Sequence, residues 1–132
     1  MKRLTEGIVS VVEDGKITIG SIQDVVEIKD GSRVLVIGTK GKFLRIIPIH
    51  DSDIMLVRVN MLLNAFSETA REIFTSIKDR KMKLLHSTGL CPMKEFCVWE
   101  GYFHADNPDK IEEFTDWVKS MDSVLEVEFI HL

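Results

Sequence analysis

The sequence predicts an α+β protein in two parts, a small β-rich module followed by a βαββαβ domain. Three observations carry this prediction. Short β-branched runs broken by Gly turns fill the chain up to Pro48. A polar, turn-forming break follows at His50-Asp51-Ser52-Asp53. Beyond it, two amphipathic helical stripes alternate with apolar strand-like runs. The modules are placed at residues 1–50 and 54–132.

In the first module, Ile8-Val9-Ser10-Val11-Val12 leads through Asp14-Gly15, a strong hairpin signal, into the alternating Lys16-Ile17-Thr18-Ile19. Ile22 to Ile28 has the apolar spacing of a single helical turn or loop. Arg33 to Gly38 then pairs with Phe43 to Pro48 across Thr39-Lys40-Gly41-Lys42 as a second hairpin. A unit this small buries little apolar area alone, so dimerisation is expected.

The second module opens with a nearly continuous apolar run, Ile54 to Leu63, suited to a central strand. Ser67 offers an N-cap to a helix whose stripe is Ala70, Ile73, Phe74 and Ile77. The basic cluster Lys78, Arg80, Lys81 and Lys83 complements its C-terminal dipole. Strands over 83–90 and 95–105 follow. Asn107 then caps a helix with Pro108 in first position and a stripe of Ile111, Phe114, Trp117, Val118 and Met121. The last strand alternates Leu125, Val127 and Phe129 inward with Glu126 and Glu128 outward. This order is the split βαβ, or ferredoxin-like, arrangement.

Composition supports a folded chain: of 132 residues, 45% are hydrophobic and 29% charged, with no low-complexity tract. The sequence lacks a signal-peptide core and any run long enough to span a bilayer, so cytoplasm is the expected location. The net charge of −4 is unevenly divided. Residues 1–50 hold eight Lys/Arg against six Asp/Glu, and residues 51–132 hold nine against fifteen, so the first half is the part suited to an anionic partner.

Residues 7–48 are similar to the AbrB/SpoVT family of swapped-hairpin, dimeric DNA-binding modules. The resemblance rests on Val12-Glu13-Asp14-Gly15-Lys16-Ile17-Thr18-Ile19, on Ile22, Val26 and Ile28, and on Lys29-Asp30-Gly31-Ser32-Arg33-Val34-Leu35-Val36. Gly20 stands where the family has proline, and Gln23-Asp24 replaces its common arginine. The resemblance implies contact with double-stranded DNA, with Lys16, Lys2 and Arg3 as the contacting residues. Residues 55–132 look like an ACT domain, a βαββαβ regulatory module that binds amino acids or other small effectors. The loop from first strand to first helix is the family's effector loop, which here is Asn64-Ala65-Phe66-Ser67. Its amides at the helix start suit a carboxylate.

Other chemistry is weakly signalled. Cys91 and Cys97 flank a turn. A hairpin centred on Lys94 would set them face to face as a disulfide or half a metal site, but a buried pair of free thiols in a reducing compartment is the favoured reading. His50, His86, His104 and His131 fit no metal pattern, and no nucleophile elbow, phosphate loop or paired carboxylate is present. Glu112, Glu113 and Asp116 read as a solvated helix face. Trp99, Tyr102 and Phe103 read as core rather than an effector surface. The expectation is therefore a homo-oligomeric protein without catalytic residues, metal or cofactor: a ligand-responsive transcription regulator with an AbrB-like half on DNA and an ACT-like half sensing an effector such as an amino acid. The alternative is an allosteric or assembly subunit that binds a metabolite or partner enzyme but no DNA.

Overall fold

A computed structural model describes residues 4–132. The chain divides into two compact units, Met1–Asp51 and Ser52–Leu132.

In the first unit Asp14 and Gly15 both adopt positive φ, 51° and 71°, as the two central residues of a type I′ turn require. The Glu13–Lys16 backbone pair closes that turn as an isolated bridge. The expected strands on either side do not extend it into a ladder. Val9, Val11 and Val12 are exposed, and a lone two-stranded hairpin with no apolar face covered is marginal in water. Helix α1 is the single turn Ile22–Val25. Strands β1, Val34–Thr39, and β2, Phe43–Pro48, form the second hairpin in register Val34↔Pro48 to Thr39↔Phe43.

The second unit runs β3 (Ile54–Leu62), a 3-10 turn (Leu63–Ala65), α2 (Phe66–Asp79), β4 (Leu84–Leu90), β5 (Phe96–His104), α3 (Pro108–Lys119) and β6 (Val124–His131). The strands lie in the order β4-β5-β3-β6, every neighbour antiparallel. The expected βαββαβ order is observed. Met55, Val57, Val59 and Met61 of β3 alternate onto one face of the sheet, with Cys97, Trp99 and Phe103 of β5 beside them. Ile73 and Ile77 of α2 and Ile111, Phe114 and Val118 of α3 close over that face, making one continuous core. Trp99 and Phe103 belong to it, whereas Tyr102 alternates to the opposite face.

Three local expectations are corrected. Ser67 does not cap α2: the N-cap is Ala65, with no side-chain cap bond, because the 3-10 turn runs directly into the helix. In β6 the register shifts opposite Asn60 and Met61, so Val124 takes the place beside Met61 and Leu125 is left 57% exposed. Phe129 keeps the expected side, opposite the core residue Val57, and is 39% exposed on this edge strand. The two cysteines are not free thiols. Leu90 pairs with Val98, and the same antiparallel register continued by one residue sets Cys91 opposite Cys97, where they form a disulfide.

Candidate functional site

The junction between β3 and α2 lies at the end of a central strand, beside the β4–β5 turn. After the buried Met61, the chain emerges through Leu62, Leu63 and Asn64, all exposed. Two backbone bonds hold it on opposite sides. The Leu62 amide donates to the Ser123 carbonyl at 3.0 Å, and the Leu63 amide donates to the Glu95 carbonyl at 3.1 Å. The second bond draws the β4–β5 turn against the junction. On the side of that turn lies an open groove of about 350 Å³ lined by Leu62, Leu63, Asn64, Lys94 and Glu95.

The four residues expected to form the effector loop do not converge. Asn64 lines this groove. Ala65 instead faces a second cleft of about 580 Å³, between the start of α2 and the α3–β6 loop, with Glu68, Glu72 and Asp122 on its walls. Thr69 and Ser123 hydroxyls meet at 2.7 Å beneath it. Phe66 packs against the core, its ring so close to β4 that a Cβ on Gly89 would stand 3.0 Å from Phe66 Cζ. Ser67 is exposed on the first turn of α2. Leu62, Leu63, Lys94 and Glu95 were not anticipated. The signal that points to the last two is the Cys91/Cys97 spacing, which sets the turn that carries them.

Across the sheet, on the face opposite the helices, Arg58 bridges two neighbouring strands. Its Nε meets Glu100 at 2.8 Å and its Nη1 meets Glu128 at 2.5 Å, each the register partner of Arg58. Hydrogen bonds from Glu100 and then Glu128 raise the guanidinium's pKa further, so it is a permanent cation. Asn60 Nδ2 reaches Glu126 at 3.5 Å. In the adjoining row His86 Nε2 and Thr88 Oγ1 lie 2.8 Å apart, and the His86 ring meets Tyr102 edge-on. Burial first, then the nearby Glu100 charge, raise the Tyr102 pKa. The carboxylates on this face outnumber its single bound arginine, so it does not attract an anion.

A further groove, of about 520 Å³, runs between α2 and α3. Arg80 spans it, its guanidinium 5.9 Å from the Trp117 ring centre and bonded to Ser76 Oγ at 3.0 Å. Arg80 and Arg71 are balanced there by Glu72 and Asp79. Among the described residues no group of three or more His, Cys, Asp or Glu is placed to hold a metal ion, and no helix is long and apolar enough to cross a membrane.

In the first unit Lys16 is exposed at the tip of the Asp14-Gly15 turn, with Glu13 paired to it through the backbone. The tip thus carries two carboxylates and one cation. Lys2 and Arg3, the other expected DNA contacts, lie outside the described residues.

No protein-family model matches the chain, and no curated protein matches it in sequence. Solved structures do match. The C-terminal domain of the MgtC protein from Mycobacterium tuberculosis is 12% identical with a TM-score of 0.56, covering 65% of this chain and 94% of that one. The ACT domain from the GTP pyrophosphokinase of Chlorobium tepidum is 15% identical with a TM-score of 0.50, covering 60% of this chain and all of that one. At these identities the likeness is one of fold, and with the strand order above it shows that the second unit has the ferredoxin-like fold these two domains share.

Proposed function

We propose that this chain is a non-catalytic regulatory protein whose second unit binds a free amino acid, or a closely similar zwitterion, in the groove at the end of β3. The observation that carries the reading is the groove's lining: one cation, Lys94; one anion, Glu95; one amide, Asn64; and an apolar wall of Leu62 and Leu63. A carboxylate matches the ammonium, an α-amino group matches the carboxylate, and an aliphatic side chain matches the leucines. The fold likeness to an ACT domain supports the same reading.

The first unit, on this proposal, joins two copies, as its swapped-hairpin resemblance implies. Its support is apolar exposure. Ile8, Val9, Val11, Val12, Phe43, Leu44 and Ile46 are each more than a third exposed in a unit whose buried apolar side chains, among the described residues, are Leu35, Ile37 and Ile49. Contact between Lys16 and duplex DNA is the weaker alternative, because Glu13 and Asp14 at the same tip repel phosphate. DNA affinity that falls steeply with salt would restore it.

The test is thermal unfolding of the full chain with each proteinogenic L-amino acid in turn. A ligand present at about a hundredfold over its Kd adds about 2.7 kcal/mol to stability, a rise of several degrees. At least one amino acid is expected to give that rise in the native chain and none in Lys94→Ala. No stabilisation by any of them overturns the reading.

A further inference from the structure

We infer that the Cys91–Cys97 disulfide is a redox modification site that fixes the shape of the groove at the end of β3, an inference that rests on the effector reading above. The turn it closes has few other restraints. The β4–β5 ladder ends at the Leu90–Val98 pair, and the β3–β5 ladder ends at Leu62–Phe96, so residues 91–95 pair with no strand. Pro92 has no amide to donate. Among the described residues, the disulfide and the Leu63–Glu95 backbone bond are what tie this turn down. Both groove residues contributed by the turn, Lys94 and Glu95, stand inside the closed loop.

The two sulfurs differ in access. Cys91 is exposed and Cys97 is fully buried in the core. A thiolate of a dithiol reductant therefore attacks Cys91 Sγ. The S–S bond breaks as a mixed disulfide forms, and Cys97 leaves with the electron pair and takes a proton. The reductant's second thiolate then attacks its own sulfur in the mixed disulfide and releases Cys91, which is protonated in turn. Two electrons and two protons have entered the protein, and the reductant leaves as its own disulfide. With the loop opened, the turn keeps a single backbone bond, and Lys94 and Glu95 lose their fixed positions beside Asn64. The oxidised protein is the form with an assembled groove.

The experiment uses the full chain purified without reductant. Alkylation in denaturant followed by mass measurement is expected to leave both cysteines unmodified until a dithiol is added, after which both react. Amide hydrogen exchange followed by NMR is expected to show the Leu63 amide exchanging roughly tenfold faster after reduction, while Val57 and Val59 in the sheet centre keep their rates. Cys91→Ser removes the bond at an exposed position without touching the core, and it is expected to exchange at Leu63 as the reduced chain does. Alkylation of both cysteines in untreated protein, or a Leu63 rate unchanged by reduction and by Cys91→Ser, overturns the inference. Neither readout requires a bound amino acid, so failure of the clamp is distinguishable from failure of the effector reading.

Discussion

Single residues in this domain are constrained by what their neighbours already occupy. Gly101 sits on the helix-facing side of β5, between Trp99 and Phe103, where an added Cβ would stand 2.4 Å from Trp99 Cη2 and 3.0 Å from Phe103 Cε2. Both rings are buried, and Phe103 packs edge-on against Phe114, so neither moves cheaply. Gly101→Ala is expected to cost about 1–3 kcal/mol. A urea denaturation midpoint equal to that of the native chain would contradict this packing. Tyr102, one residue on, points the other way and is the chain's single tyrosine, so its ionisation can be read alone by ultraviolet titration. Burial and the Glu100 charge raise its folded pKa above the ordinary value of about 10. The unfolded phenol then ionises first, so the stability linked to this group is intact below about pH 10 and is lost as pH rises through the folded pKa. Tyr102→Phe is expected to flatten that alkaline loss. A phenol midpoint at or below that of a free tyrosine would refute the assignment.

Elements were legible where local chemistry and packing agree. Helix α3 is the plainest case: Asn107 Oδ1 accepts from the Lys110 amide at 3.3 Å, Pro108 occupies the first turn, and Ile111, Phe114 and Val118 fall on the buried stripe. Asn107→Ala is expected to lower stability by about 1 kcal/mol, measured by urea denaturation, and no change would mean that packing alone holds the helix start. Helix α2 was legible in its existence and misread at its start, because the cap preference of Ser67 yielded to Phe66 docking over Gly89, a contact between residues far apart in sequence. On β6 the alternation holds for Val127 and Phe129, the partners of the core residues Val59 and Val57, and fails only at Leu125. Strict alternation holds only without a bulge, and the shift opposite Asn60 and Met61 is invisible in a single strand. The cysteine pair shows the converse. Hairpin geometry permits the disulfide, whereas the general tendency of cysteine to be a buried free thiol argued against it, and the register decided. Of the four expected loop residues Asn64 lines the groove, whereas Lys94 and Glu95 reach it only through the pairing of β5 with β3, which no local pattern shows.

For the whole molecule, the two units differ in how completely they close. The second unit encloses a continuous core between a four-stranded sheet and two helices. The first leaves apolar strand residues exposed, which is the basis for its proposed pairing with a second copy. Sedimentation of the intact chain is therefore expected to give a dimer or larger species, and a monomer at micromolar concentration would contradict that role. On the proposed reading, sensing belongs to the second unit and assembly to the first. The central claim is that an amino acid binds where β3 meets α2, and the most direct test is an amide-resolved NMR titration of the oxidised chain with the most stabilising amino acid. The account predicts that the amides of Leu63, Asn64, Lys94 and Glu95 shift together and saturate with one Kd. Shifts centred instead on the α2–α3 groove or the Arg58 face of the sheet, or no shifts at all, would contradict it.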